Sequence, residues 1–176
     1  MEIKLTLLKP FFEDPHKRYS IRELSRILKI NHTTVRQHLN RLVKEQFLIS
    51  TKEGVYVFYQ IVFSKKMLHL KLYYNLEKIR NSHLIEELEK VYDLPVIVLF
   101  GSYASASDDA SSDIDVCVIS NIEKEFSTEK YQKMVNRKIS LHKFSKDSWN
   151  RAKKLNPHLI NNICNGMVVS GELEVL

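Results

Sequence analysis

Long apolar runs are missing from this 176-residue chain. No stretch approaches the roughly 20 apolar residues that a membrane-spanning helix needs, so no membrane partner is expected. The opening MEIKLTLLKPFF has an acid at its second position and too short an apolar run for a secretory signal. Cysteine is scarce as well. Cys117 and Cys164 stand in no metal-ligand spacing and lie in apolar surroundings, the pattern of buried free thiols in a cytoplasmic protein. The expected location is the cytoplasm. Global disorder is excluded by a hydrophobic content of 44%, which is enough for a packed core. The length suits one ordinary domain or two small ones.

Acids are short in the front half. Residues 1–80 hold 16 Lys and Arg against 7 Asp and Glu, a net +9, whereas residues 81–176 hold 11 against 14, a net −3. This division points to two modules with different partners. The basic one suits a polyanion such as nucleic acid.

In the front module, residues 2–12 carry a helical apolar pattern, and Pro15 breaks the chain after it. Ser20 and Glu23 form an S-x-x-E capping box, in which each side chain satisfies a backbone N–H of the other residue. Leu24, Ile27 and Leu28 then mark the buried stripe of a short helix. Asn31 suits the N-cap of a second helix, with Val35, Leu39 and Leu42 on one face. Thr33, Thr34, Arg36, Gln37, Asn40 and Arg41 fall on the other faces, with no acid among them. Such side chains reach phosphates and base edges. FLIST and VYVFYQI read as a hairpin turned at Gly54. Lys52 and Tyr56 on that hairpin are candidates to touch a DNA backbone, with a solvated lysine and a strand tyrosine as the plainer alternative.

Helix, helix-turn-helix and hairpin in that order resemble the winged-helix DNA-binding domains of prokaryotic transcription regulators, over residues 1–63. The resemblance implies three helices plus a β-hairpin wing, and double-stranded DNA as partner. A protein-interaction module with a solvated basic face is the competing account. Residues 64–92 lack Pro and Gly and read as two helices, or one broken near Asn81-Ser82. Residues 64–81 form the connecting helix, which either pairs with a second copy in a homodimer or packs on the chain's own domains.

The back module opens its chemistry with PVIVLF, a short buried strand ended by Gly101-Ser102. A glycine there lets a phosphate approach the backbone, and the serine can donate to it. A second strand, with the apolar run IDVCVIS, is expected to carry both Asp113 and Asp115, and residues two apart on a strand share a face. Paired carboxylates repel unless a cation lies between them, and Mg²⁺ favours carboxylates together with phosphate oxygens.

The set LFGSY…SSDIDVCV resembles the nucleotidyltransferases of the DNA polymerase beta superfamily, in particular the small stand-alone ("minimal") ones, over residues 82–176. The resemblance implies an α+β fold with a mixed β-sheet flanked by helices and a nucleoside triphosphate as substrate or ligand. Gly101 and Ser102 would hold its phosphates, and Asp113 and Asp115 would be catalytic and hold Mg²⁺. The sequence departs from the family in three places. The Arg and Gly that commonly follow the Gly-Ser are Ser105 and Ala106 here. ASASDDASS reads as a looser loop, with Asp108 and Asp109 as candidate extra acids. The family's third carboxylate falls on RKISLHKFS, at Ser140, with His142 two residues on.

Two functions follow from this. One is a DNA-binding protein that binds Mg²⁺ and a nucleoside triphosphate and transfers a nucleotidyl group. The other is a transcription regulator whose nucleotidyltransferase domain is catalytically degenerate and serves sensing or dimerisation. The family's toxin–antitoxin members add a third, in which the partner is a toxin-like protein.

Overall fold

The computed structural model describes residues 2–174, and the chain divides into two compact units, Met1–Tyr74 and Asn75–Leu176. The first unit contains α1 (Glu2–Glu13), β1 (Tyr19–Ser20), α2 (Ile21–Leu28), α3 (His32–Lys44), β2 (Leu48–Glu53) and β3 (Tyr56–Ile61). α1 runs through Pro10 and stops ahead of Pro15. Ser20 and Glu23 close the expected capping box on α2, and Lys29, at φ 56°, ends that helix in the left-handed conformation. Asn31 then accepts the Thr34 N–H and starts α3, so residues 29–31 make the turn of a helix-turn-helix. The strands pair antiparallel in the order β1-β3-β2. Gly54 takes φ +60° at the first position of the two-residue β2–β3 turn, where glycine costs least. Leu8, Phe11, Leu24, Val35, Leu39 and Leu48 form the core of this unit.

The segment set apart as a connecting helix forms α4 (Lys65–Arg80), which begins in the first unit and ends in the second. Residues 81–83 break the helical run, and α5 (Leu84–Tyr92) follows.

The second unit continues with β4 (Val96–Phe100), α6 (Gly101–Ala104), β5 (Ile114–Ile119), α7 (Glu129–Val135), β6 (Ile139–Phe144), α8 (Lys146–Leu155), α9 (Pro157–Cys164) and β7 (Met167–Ser170). Its sheet has the order β6-β5-β4-β7, with β5 and β6 parallel and the other pairs antiparallel. Alternation along each strand sends residues to two cores. Leu99, Val116 and Val118 pack with Leu84, Leu88 and Tyr131 on one side, whereas Val98, Phe100 and Cys117 pack with Trp149, Ile160 and Ile163 on the other. Burial on both faces explains why β4 reads as an unbroken apolar run. It also pushes the Cys117 thiol up to about 12, so that cysteine stays a neutral core residue.

Candidate functional site

β4 ends at the Gly-Ser pair and β5 carries Asp115, whereas Asp113, expected on the same strand, stands one residue before it. Phe100 pairs with Asp115 across the antiparallel ladder, so the end of β4 meets the start of β5. Gly101 sits there at φ +72°, and a Cβ on it would lie 2.4 Å from Asp115 Oδ2. Only glycine allows both that backbone conformation and that approach. Ser102 follows in the first turn of α6, half-buried, and the backbone carbonyls of Gly101 and Ser102 accept the Ser105 hydroxyl at 3.2 and 3.1 Å. Gly101, Ser102 and Asp115, which the sequence singles out separately, are thus neighbours. Asp115 shares its face with Cys117, on the side of the sheet that α8 and α9 cover.

β6 completes the site. Its parallel register sets Asp115 opposite Ser140, and the Ser140 hydroxyl donates to Asp113 Oδ2 at 3.1 Å. The Lys138 ammonium donates to the same oxygen at 2.7 Å. This hydrogen bond holds the Asp113 carboxyl below the ordinary range, and the same bond raises Lys138. Asp115 shifts the other way because burial disfavours its charge, with the nearby Asp113 adding to the rise. His142 Nε2 stands 3.9 Å from Asp115 Oδ1, beyond hydrogen-bond reach, and its ring packs edge-on to Phe100 at 5.2 Å.

The loop between the Gly-Ser pair and β5 is tied down, in contrast to the loose loop that its small polar residues suggest. Asp108 is fully buried and accepts from Asn75 Nδ2 at 2.9 Å, with Arg137 Nη2 3.4 Å away. Arg137 also donates to the Asp109 and Ser112 carbonyls. Asp109 accepts the Ser111 hydroxyl and N–H at 2.7 and 2.8 Å, and these bonds bring its carboxyl down to about 2. Neither acid is directed to the Asp113–Asp115 pair; both brace the loop.

Mg²⁺ is the cation that the resemblance implies. Two same-side carboxylates, one of them desolvated against a glycine, suit one such ion. Lys138 and Ser140 already engage Asp113, and no three-ligand cluster of His, Cys, Asp or Glu forms among the described residues.

In the first unit, Val35, Leu39 and Leu42 anchor α3 in the core. Thr33, Arg36, Gln37, Asn40 and Arg41 are exposed, as is Lys52 on β2, while Thr34 is half-buried beside its cap. Asn40 Oδ1 takes the Tyr59 hydroxyl at 3.4 Å. Arg41 Nε donates to Glu45 Oε1 at 2.8 Å. The exposed face therefore has an acid at its end, which a count confined to residues 33–41 does not register.

Sequence reasoning missed Lys138, Arg137 and Glu45 as site neighbours. Lys138 had a signal, because it stands two residues before Ser140 at the entry to β6, and extending the strand's alternation by one residue puts the two on one side, where both reach Asp113. No helix among the described residues is long and apolar enough to cross a membrane.

Fold and site define a class of protein: a helix-turn-helix unit followed by an α+β unit in which a Gly-Ser turn abuts paired carboxylates. Residues 81–170, just over half of the chain, match the family model described as Nucleotidyltransferase domain, and the chain belongs to that family. Residues 3–50 match the model described as Bacterial regulatory protein, arsR family. No curated protein matches the chain.

Proposed function

We propose that the chain is a DNA-binding regulator whose nucleotidyltransferase-fold unit takes up a nucleoside triphosphate with one divalent ion. The observation that carries this is the packing of Gly101 against Asp115, which puts a phosphate-accommodating turn next to a carboxylate. The Gly101 backbone and the Ser102 hydroxyl would donate to phosphate oxygens, and Asp113 and Asp115 would hold Mg²⁺. When bound, the ion supplies charge neutralisation between carboxylates and phosphate. α3, with Thr33, Thr34, Arg36, Gln37, Asn40 and Arg41, would face DNA, with Lys52 on the hairpin beside it.

Ser140 favours nucleotide binding over nucleotidyl transfer. Its hydroxyl gives a hydrogen bond to Asp113, whereas a third carboxylate would accept a proton from an attacking hydroxyl. Loss of such a base typically costs about 10²–10⁴-fold in rate. The test is equilibrium titration of the full chain with a fluorescent ATP analogue in Mg²⁺, alongside a pyrophosphate-release assay. Saturable, Mg²⁺-dependent binding that Asp115→Asn abolishes, without pyrophosphate release, is the expected result. No saturable binding by the wild type sinks the proposal, and steady pyrophosphate release replaces the regulator with an enzyme.

A further inference from the structure

The loop that follows Gly101-Ser102 carries no Lys or Arg as far as Asp113. A nucleotide phosphate arriving there would need positive charge from elsewhere in the fold. The approach to β6 brings two adjacent cations to the site. Arg137 and Lys138 stand side by side just ahead of the strand, and their side chains take different partners. Arg137 turns inward to Asp108 and the loop carbonyls and is almost fully buried. Lys138 turns toward Asp113, with about two-thirds of its side chain exposed. Its backbone is fixed, because the Lys138 carbonyl accepts the Ile114 N–H at 2.9 Å, one residue from Asp113. Its head group is not fixed. A half-exposed ion pair is weak, so the ammonium can leave Asp113 at little cost.

We propose that Lys138 is the second cation of this site: it competes with the divalent ion for Asp113 and, when the ion takes that carboxylate, contacts the phosphates of the nucleotide. This rests on the nucleotide site proposed above. Charge supports it. Two carboxylates and one ammonium sum to a single negative charge, so one divalent ion brings the cluster to a net positive charge, which suits an arriving phosphate anion. Position supports it as well. The ammonium lies on an Asp113 carboxylate oxygen, so a phosphate drawn to a cation that Asp113 helped to hold would come within a lysine's reach.

The proposal predicts effects of opposite sign from one substitution. In the full chain, Lys138→Met removes the competitor, and Mn²⁺ affinity, followed by the signal of free Mn²⁺ in electron paramagnetic resonance, rises by up to about fivefold. The same variant binds the Mg²⁺ complex of the ATP analogue more weakly by about tenfold or more, for want of a charged hydrogen bond. Lys138→Arg keeps the charge and stays near the wild type in both titrations. A residue that only braced the strand would move both affinities the same way. The proposal is overturned if Lys138→Met leaves both affinities unchanged, moves them in the same direction, or weakens Mn²⁺ alone. It also falls if the wild type takes up two Mn²⁺ per chain. If wild type and variants alike bind no nucleotide, the nucleotide site fails and Lys138 falls with it. If all bind nucleotide equally, Lys138 alone fails.

Discussion

Arg41 lies on the outer side of α3 with its guanidinium bonded to Glu45, whose other oxygen takes the Lys4 ammonium. These two donors, Lys4 first, bring the Glu45 carboxyl from its ordinary 4.5 down to about 2. A lowered carboxyl pKa means that the unfolded chain binds the proton more readily than the folded one. The stabilisation is therefore complete above pH 4.5 and is lost as pH falls through about 2. Glu45 also withholds part of the Arg41 charge from any phosphate. Glu45→Gln is expected to lower the melting temperature at pH 7, with the gap to wild type closing between pH 4.5 and about 2 in thermal melts. The same variant should bind duplex DNA about two- to fivefold more tightly at fixed salt, the range of an exposed ion pair released. Unchanged affinity in an anisotropy titration would place Arg41 outside the DNA interface.

At the scale of elements, the loop joining α6 to β5 depends on one residue from the approach to β6. Asp108 has no exposed side-chain surface and Arg137 only 4%, so their pairing is that of buried charges. Removing one partner of such a pair typically costs about 3–5 kcal/mol. Arg137→Met should lower unfolding stability by that order in urea, whereas Lys138→Met, next to it and exposed, should stay within about 0.5 kcal/mol. The contrast also shows what the sequence makes legible. The Ser20–Glu23 box, the Asn31 cap, the Gly54 turn and the β4 run are local in chain and rest on backbone geometry that residue types dictate. The Gly-Ser and aspartate cluster is legible because strand parity and a family resemblance both place it. Pairs such as Lys138–Asp113, Asn75–Asp108 and Lys4–Glu45 lie 25, 33 and 41 residues apart. Their partners follow only from the register of β6 on β5 and from helix packing, which no spacing in the chain encodes.

For the whole molecule, the net +6 and its concentration in residues 1–80 make attraction to DNA expected on charge alone. Charge alone does not identify a DNA-binding face, so two ways of removing the same charge have to be compared. Arg36→Ala with Arg41→Ala removes two cations from the exposed side of α3. Lys153→Gln with Lys154→Gln removes two from the last turn of α8, in the second unit, and lowers the net charge equally. Each phosphate that a bound cation neutralises releases condensed counterions, so the slope of log affinity against log salt reports how many phosphates are neutralised. If α3 lies on the DNA, the arginine pair should reduce the magnitude of that slope by about 2, about 1 for each phosphate left without its arginine. The lysine pair should then leave the slope near that of the wild type and change affinity only slightly at low salt. Duplex binding titrated from low to physiological salt separates the cases. Equal slopes for the two variants would mean that the basic chain attracts DNA without using α3 to hold it.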